Sequence, residues 1–213
     1  FVTGAIGQNT VDLVAVSGST NVQVLRPDGS VAQTANEPYG PGIGTRAVTA
    51  DVTGDGVADL VIGTAPGVSA RLIVVDGVTG QTVYSLYPFE SSFTGGTFVA
   101  SGDVDGDSRS DFAVGADVTG GPRVIVYSGA TGEVLADFFG IDDPNFRGGT
   151  RISMGDIDGD GFADLAVAAG ASGGPRVALF DGASLRPGST PTRLAPDFFA
   201  FEANLRDGAF VSI

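Results

Sequence analysis

Apolar residues in this chain fall in short runs that are separated by glycine- and aspartate-rich segments. The runs are rich in Val, Ile, Leu and aromatic residues, which favour extended strands. Between residues 44 and 95 they predict four strands, at 45–50, 59–64, 71–76 and 82–87. No segment shows sustained helical periodicity. The pattern therefore predicts an all-β fold of short strands, with hairpin turns at "DGVTGQ" and "SGATGE".

One unit of sequence recurs three times, with spacings of 52 and 53 residues. The clearest copies are "GTRAVTADVTGDGVADLVIGT" (44–64), "GTFVASGDVDGDSRSDFAVGA" (96–116) and "GTRISMGDIDGDGFADLAVAA" (149–169). A fainter copy opens the chain, where "NTVDLVAVSG" matches "GVADLVIGT". Four-stranded units of about 50 residues are typical of β-propeller blades. A β-solenoid is the alternative, although its repeats are usually shorter.

The repeats divide the chain into four predicted blades, with approximate bounds 1–43, 44–95, 96–148 and 149–208. The remaining segment, "AFVSI" at 209–213, aligns with "TFVAS" in the third unit and with "FVTG" at the start of the chain. It is predicted to be the first strand of a further repeat. Because both ends offer the same strand, we expect part of a larger propeller, or one completed by a partner through unpaired blade strands.

A nine-residue aspartate-rich segment follows the first predicted strand of the second, third and fourth units. These segments are loop I ("DVTGDGVAD", 51–59), loop II ("DVDGDSRSD", 103–111) and loop III ("DIDGDGFAD", 156–164). Oxygen ligands at positions 1, 3, 5, 7 and 9 of a tight loop suit calcium, which takes six to eight oxygens. The predicted ligands are the side chains of Asp51, Thr53, Asp55 and Asp59 with the carbonyl of Val57; those of Asp103, Asp105, Asp107 and Asp111 with the carbonyl of Arg109; and those of Asp156, Asp158, Asp160 and Asp164 with the carbonyl of Phe162.

The three loops predict three calcium ions. Eleven of the 25 acidic residues lie in them, and a turn needs one or two such residues rather than four in alternation. Magnesium suits this arrangement less well, because it prefers octahedral sites rich in water. The hydroxyl of Thr53 is a weaker ligand than a carboxylate, so loop I should bind less tightly. The first unit keeps only Asp12 and should bind no metal.

Composition excludes several classes of function. The formal charge is −14 with only 11 basic residues, so nucleic acid and anionic membranes are poor partners. No apolar run approaches the length of a membrane span. Cysteine and histidine are both absent, which excludes disulfides, zinc–thiolate sites and a serine–histidine–aspartate triad.

The repeats with their aspartate-rich loops resemble the FG-GAP (VCBS-like) repeats of integrin α-subunit propellers and of many bacterial secreted proteins. The "GAP" half is represented by Gly63 to Pro66 and partly by Gly115 and Ala116. The "FG" half is altered: Phe98 is followed by Val99, and arginines stand at the matching positions of the other two units. The resemblance implies a secreted, calcium-binding adhesion module, closer to the bacterial branch and without the inserted domain that many integrins use for ligands.

The resulting hypothesis is a non-catalytic extracellular propeller in which calcium is structural and which binds a protein or glycan at the cell surface. A lectin is the alternative, with "GGPR" at 120–123 and 173–176 and the phenylalanine-rich segments at 138–139 and 198–201 as candidate features. A polysaccharide lyase is a further alternative, and Asp142 with Asp143 forms the acidic pair outside the loops, in a predicted exposed loop. We expect core packing for the clustered phenylalanines: Phe138, Phe139, Phe198, Phe199 and Phe201. We expect the equivalent arginines, Arg71, Arg123 and Arg176, to pair with neighbouring carboxylates.

Overall fold

The described part of the chain is built from antiparallel β-sheets. The computed structural model describes residues 13–15, 21–26, 28–36 and 38–213. The first sheet contains β1 (Leu13–Ala15), β2 (Val22–Leu25) and β3 (Val31–Ala35). The second contains β4 (Thr45–Ala50), β5 (Asp59–Thr64), β6 (Leu72–Val75) and β7 (Thr82–Leu86). The third contains β8 (Thr97–Gly102), β9 (Asp111–Ala116), β10 (Arg123–Tyr127) and β11 (Val134–Phe139). The fourth contains β12 (Thr150–Gly155), β13 (Asp164–Ala169), β14 (Arg176–Phe180) and β15 (Phe198–Phe199).

Each sheet is a meander in which consecutive strands are neighbours. The strands predicted at 45–50 and 59–64 are confirmed at those bounds, and the other two of that unit are confirmed within one residue at each end. The predicted turn between β6 and β7 is also confirmed. Asp76 Oδ1 accepts the N–H groups of Val78 and Thr79 at 2.7 and 2.9 Å, and Gly80 has a φ of +69°. A positive φ favours glycine, so the glycine at position 80 allowed this turn to be predicted from the sequence.

The second strands, β5, β9 and β13, are buried along all six of their residues. Successive side chains of a strand point to opposite faces, so burial of every residue means that both faces of these strands are covered. Their central residues accordingly form an uninterrupted apolar run, such as Leu60 to Ile62 in β5.

Residues 98–213 form a compact unit whose core lies between the third and fourth sheets. Val124 and Val126 of β10 share a buried cluster with Leu165 and Val167 of β13. Full burial of such a side chain stabilises the fold by roughly 1.5–3 kcal/mol. Residues 1–97 form the other compact unit, in which Val22 and Val24 of β2 share a buried cluster with strands β5 and β6.

The fourth sheet differs from the others after its third strand. A 3₁₀ turn at Gly182–Ser184 replaces the tight hairpin, and the chain then reaches β15, which has only two residues. Asp181 caps this turn by accepting the N–H of Ala183 at 2.9 Å. The outer strand of this sheet is therefore the shortest of those in the described residues.

Segment 209–213 was predicted to be a strand, but it makes no strand pairing in the structure. It nevertheless lies beside the fourth sheet. The N–H of Ala209 donates to the carbonyl of Ala169 at 3.0 Å, and the N–H of Ile213 donates to Ser153 Oγ at 3.0 Å. The segments that contain Phe1 to Gly4 and Asp12, on which two expectations rested, lie outside the described residues.

Candidate metal centre

Loops I, II and III occupy the same place in three successive sheets. Each loop leaves the first strand of its sheet and ends on the first residue of the second strand, which is Asp59 in β5, Asp111 in β9 and Asp164 in β13. The rigid sheet thus fixes both ends of each loop. Between these ends the chain bends through glycine-containing turns, and the residue at position 2 is buried in loops I and II (Val52 and Val104) but exposed in loop III (Ile157).

The first aspartate of each loop organises the loop backbone. Asp103 Oδ1 accepts the N–H of Gly106 at 2.6 Å, and its Oδ2 accepts the N–H of Ser108 at 2.9 Å. Asp156 makes the corresponding two bonds in loop III, at 2.7 and 3.1 Å. Ser108 has a φ of +70°, where loops I and III have glycine. A left-handed backbone at a residue other than glycine is strained, so loop II carries a strain at this position that the glycines of the other two loops avoid.

The aspartates at positions 3 and 5 make short local turns. Asp105 Oδ1 accepts the N–H of Asp107 at 3.2 Å, and Asp107 Oδ1 accepts the N–H of Arg109 at 2.8 Å. In loop III, Asp158 and Asp160 make the same two contacts. The residues at position 7, whose carbonyls were predicted ligands, thus have their N–H groups held inside the loop.

The aspartate at position 9 has a second role that the sequence analysis missed. Asp111 is fully buried; its Oδ2 accepts the N–H of Val104 at 2.8 Å, and its Oδ1 accepts the N–H of Gly129 at 2.9 Å. Gly129 follows the third strand, β10, so this carboxylate ties loop II to the far end of its own sheet. Asp59 and Asp164 bond in the same way to Gly77 and Gly182.

The glycine that follows each third strand is the sequence signal for this contact. An added Cβ at Gly77 would lie 2.1 Å from the carbonyl oxygen of Ala58, and one at Gly182 would lie 2.1 Å from that of Ala163. No side chain fits at that distance. The recurring "DG" and "SG" pairs after the third strands therefore mark a close backbone approach as well as a turn.

Burial raises the pKa of Asp111 to about 6. Hydrogen bonds from Gly129 and Val104 oppose the rise, while the charges of Asp105 and Asp103 add to it. Burial also raises the pKa of Asp59. A cation among these oxygens would favour the ionised carboxylates, because an opposite charge within a few ångströms lowers an acid's pKa.

The carboxylates converge in two of the loops. In loop II, one oxygen from each of Asp103, Asp105 and Asp111 lies within 4.8 Å of the others. In loop III the converging group is Asp156, Asp158 and Asp160. Asp107 and Asp164 stand outside these groups although the sequence predicted them as ligands of the same sites. The donors in both groups are carboxylate oxygens, which suit a hard cation such as calcium.

Loop I forms no comparable group of three acidic residues among the described part of the chain. Its predicted hydroxyl ligand nevertheless occupies an unusual environment. Thr53 Oγ1 is buried and makes no hydrogen bond of ordinary geometry, although the hydroxyl lies near enough to Asp59 to oppose the rise in that group's pKa. A buried polar atom without a partner is costly, so a cation bound to this oxygen would relieve the cost.

Two of the three equivalent arginines, Arg123 and Arg176, form ion pairs with a nearby aspartate. Arg123 donates through Nε and Nη2 to the two carboxylate oxygens of Asp137 at 2.8 and 2.7 Å. Arg176 contacts Asp197 Oδ2 through Nε at 2.7 Å and through Nη2 at 2.6 Å. For Arg71, the partner among the described residues is a serine instead, because Ser85 Oγ accepts from Nε and Nη2 at 3.1 and 2.8 Å.

The "GGPR" segments connect the second and third strands and join the outer strand. The carbonyl of Pro122 accepts the N–H of Gly140, and that of Pro175 accepts the N–H of Ala200, both at 2.8 Å. These contacts account for the motif as part of the sheet framework.

Core packing was predicted for five phenylalanines and holds for one. Phe138 packs edge-to-face against Phe180 with ring centroids 4.8 Å apart. The prediction is wrong for the other four, whose exposed fractions run from 45% to 61%: Phe139, Phe198, Phe199 and Phe201. Sequence could not distinguish these positions, because exposure depends on what covers the outer edge of each sheet.

Asp142 and Asp143 lie in an exposed loop, as predicted. Asp143 Oδ1 accepts the N–H of Asn145 at 3.0 Å, so this carboxylate shapes its own turn. In the described ranges, no helix has the length and apolar character needed to cross a membrane.

Comparison with known proteins relates the chain to a repeat family. Residues 148–183 match the FG-GAP repeat family. Integrin alpha-V of Gallus gallus is 26% identical over 170 residues, covering 71% of this chain and 16% of the integrin. Integrin alpha-4 of Xenopus laevis is 37% identical over 106 residues, covering 46% of this chain and 10% of the integrin. The chain thus spans less than a fifth of the length of these relatives.

Solved structures with a similar fold include propellers and enzymes. The Dos1 propeller matches with a TM-score of 0.54 at 14% identity, covering 93% of this chain and 46% of that one. A rhamnogalacturonan lyase from Bacillus licheniformis matches with a TM-score of 0.54 at 14% identity, covering 95% of this chain and 39% of the lyase. At such identities the likeness shows the fold alone. Together with the all-β sheets, it identifies the fold as a β-propeller.

Proposed function

We propose, from the FG-GAP repeat match at residues 148–183 and the β-propeller fold, that this chain is a non-catalytic calcium-binding module for adhesion or assembly outside the cell. The observation that carries the proposal is loop II, where oxygens of Asp103, Asp105 and Asp111 converge within 4.8 Å. Three carboxylates at that separation repel one another strongly unless a cation lies among them.

The proposed role of calcium is structural. Each loop joins the first two strands of its sheet, and its last aspartate also holds the end of the third strand, as Asp111 does through Gly129. An ion bound to the loop therefore braces three of the four strands. Extracellular sites of this open type bind calcium at about 10⁻⁴ to 10⁻³ M. With calcium tenfold above the dissociation constant, each site adds about 1.4 kcal/mol, and three sites add roughly 4 kcal/mol.

Loops II and III are the proposed stronger sites, and loop I is the weaker one. Loops II and III each bring three carboxylates together, whereas loop I offers the Thr53 hydroxyl at position 3. A neutral hydroxyl neutralises none of the charge of a dication. Its burial without an ordinary hydrogen bond still supports a cation near that oxygen.

A non-catalytic role is supported by how the acidic residues are used. The loop carboxylates each accept backbone N–H groups and shape the turns that hold them, as Asp103 and Asp156 do. Glycoside cleavage by two carboxylates requires a pair that faces a bound sugar. Asp142 and Asp143, the pair outside the loops, lie in an exposed turn. We therefore do not favour a lyase, despite the shared fold.

A lectin is the second candidate, and the exposed phenylalanines favour it. Phe139, Phe198, Phe199 and Phe201 present aromatic surface at the outer edges of the third and fourth sheets. Exposed aromatic rings are enriched at binding surfaces because they offer a large apolar area at a low cost in conformational entropy. The proposed partner is accordingly a protein or glycan at the cell surface. Because the chain carries a formal charge of −14, we do not favour nucleic acid as a partner.

Thermal unfolding with and without calcium tests the structural role. We expect calcium to raise the melting temperature and EDTA to lower it, with magnesium at the same concentration giving a smaller shift. A melting temperature that is the same in calcium and in EDTA would contradict the proposal. Binding to a glycan array, repeated with Phe199→Ser, separates the lectin from a scaffold, since a scaffold binds no glycan in either form.

A further inference from the structure

Loops II and III contact each other directly within the unit formed by residues 98–213. The N–H of Ala163 in loop III donates to the backbone carbonyl of Asp103 in loop II at 2.7 Å. The ring of Phe162 lies against Gly106, where an added Cβ would be only 2.6 Å from the ring atom Cε1. Phe162 and Asp103 are both predicted ligand positions. The two loops therefore share a backbone hydrogen bond and a packed contact at the residues that would bind calcium.

Arg186 forms a second connection between the same loops. Its Nη1 donates to the carbonyl of Val104 in loop II, and its guanidinium lies 5.5 Å from the centre of the Phe162 ring in loop III. The N–H of Val104 in turn donates to Asp111 at 2.8 Å. Arg186 follows the 3₁₀ turn whose Gly182 donates its N–H to Asp164 at 2.9 Å. Arg186 Nη1 also lies 3.5 Å from the carbonyl oxygen of Gly182, so this side chain contacts one backbone partner of each buried position-9 aspartate, Val104 for Asp111 and Gly182 for Asp164.

We propose that loops II and III form one two-calcium unit that binds its ions cooperatively, with Arg186 and Phe162 as the positioning residues that couple the loops. This inference rests on the proposed calcium function and concerns how the two sites act together. The coupling residues touch no ion through their side chains. They hold the backbone of one loop in place against the other.

The direction of the coupling follows from the cost of ordering the loops. A bound ion fixes loop residues that would otherwise sample many conformations, and each fixed residue costs about 1–2 kcal/mol of conformational entropy. Because Ala163 and Phe162 contact Asp103 and Gly106, ordering loop III also restricts loop II. The second ion then meets a loop that is already partly ordered, so it binds more tightly.

Electrostatic repulsion between two dications opposes this coupling, but the local charge limits it. Loops II and III carry eight aspartates between them, so two calcium ions leave the pair of loops negatively charged. The first ion therefore reduces the repulsion among the carboxylates without making the second site cationic. We expect the ordering effect to decide the sign, with a coupling on the order of tenfold in affinity.

Site-resolved NMR titration measures the coupling. The amides of Gly106 and Gly159 report loops II and III separately, because each is bonded to the first aspartate of its own loop. In the wild type we expect both amides to shift over the same calcium range, with a Hill coefficient above one. Disabling loop III with D156A/D160A should weaken calcium binding at loop II by about tenfold.

The same loop III knock-out is then repeated in variants that remove the coupling. In R186Q, and separately in F162L, we expect the knock-out to change the affinity of loop II by less than twofold. R206Q is the matched control, since it removes one positive charge from an arginine whose hydrogen bonds, within the described residues, go to the carbonyls of its own turn at Ala203 and Leu205. In R206Q, the loop III substitutions should still weaken calcium binding at loop II by about tenfold. F162L retains the backbone carbonyl of residue 162, so it provides the test if R186Q does not fold.

The outcomes separate the inference from the function on which it rests. If neither amide shifts on adding calcium, the calcium function fails and the coupling fails with it. If both loops bind calcium but the loop III knock-out leaves loop II unchanged in the wild type, the coupling alone is wrong. If the tenfold effect persists in both R186Q and F162L, these residues only pack the sheets together, and their assignment is wrong.

Discussion

Replacing Asp111 by asparagine separates the charge of this side chain from its shape. Asp111 is fully buried, and its two oxygens accept N–H groups from Val104 and Gly129. An asparagine can accept only one of these bonds, because its NH₂ group would face the other donor. A buried N–H left without an acceptor costs about 1–3 kcal/mol.

A second effect opposes this loss in the absence of calcium. Burial and the neighbouring Asp103 and Asp105 raise the pKa of Asp111 to about 6, roughly two units above the ordinary value. At pH 7 the ionised form is therefore less favourable in the folded state by about 3 kcal/mol, at about 1.4 kcal/mol per unit. Asparagine removes that cost. The two effects nearly cancel, so in EDTA we expect Asp111→Asn to change the free energy of unfolding by less than about 2 kcal/mol.

Calcium should reveal the difference. The wild type gains about 1.4 kcal/mol from loop II at a calcium concentration tenfold above its dissociation constant, and the variant loses that gain. For a chain of this size, 1 kcal/mol corresponds to about 2–4 °C in melting temperature. We therefore expect the calcium-induced rise in melting temperature to be about 3–6 °C smaller in Asp111→Asn.

Urea unfolding and thermal melting, each with calcium and with EDTA, measure both quantities. Asp142→Asn is the matched control, because Asp142 is exposed and lies outside the loops. It should respond to calcium as the wild type does. If calcium stabilises Asp111→Asn as much as the wild type, Asp111 is not part of a calcium site. A loss of several kcal/mol in EDTA would instead show that the hydrogen bonds outweigh the cost of the buried charge.

Three further predictions concern loop I, the glycine that follows β14, and the pH dependence of Asp111. Thr53→Asp gives loop I the carboxylate that the other loops have, so isothermal titration should show about tenfold tighter calcium binding at one site; unchanged affinities would refute the site. Gly182→Ala should lower the free energy of unfolding in urea by about 1–3 kcal/mol, because the added Cβ would lie 2.1 Å from the carbonyl oxygen of Ala163. Gly121→Ala is the control: the nearest atom to its Cβ would be 3.9 Å away, so its free energy of unfolding should be unchanged. Without calcium, the wild type should gain stability relative to Asp111→Asn as the pH falls from 7 to 4, because the pKa of Asp111 is higher in the folded state than in the unfolded state. A difference in the free energy of unfolding that stays constant over that pH range would contradict the raised pKa.

Local sequence was sufficient to predict the strands and the loops. The strands at 45–50 and 59–64 have the predicted bounds, because apolar runs and turn residues act over only a few positions. The alternation of aspartates also placed each loop correctly between the first two strands. The serine that faces Arg71 could have been found by aligning Ser85 with Asp137, because both positions lie on the outer strand of the repeat.

Other features depended on packing and could not be read from any single repeat. Phe138 is packed into the core while Phe139 next to it is exposed, because burial depends on which neighbouring sheet covers each face. The same holds for segment 209–213, which has the sequence of a first strand but lies beside the fourth sheet without strand pairing. A repeat sequence describes a blade, but the surroundings of that blade decide what is buried.

The loops show the same division most clearly. Sequence alone predicted the oxygen donors and their spacing, and the structure brings three of the four predicted carboxylates together in each of loops II and III. Only the tertiary structure decided that Asp111 is fully buried against Gly129 and that Phe162 rests on Gly106. These contacts join residues that are distant in sequence, and their formation depends on how the sheets stack. The chemistry of the candidate site was therefore local, and the coupling between its loops is a property of the fold.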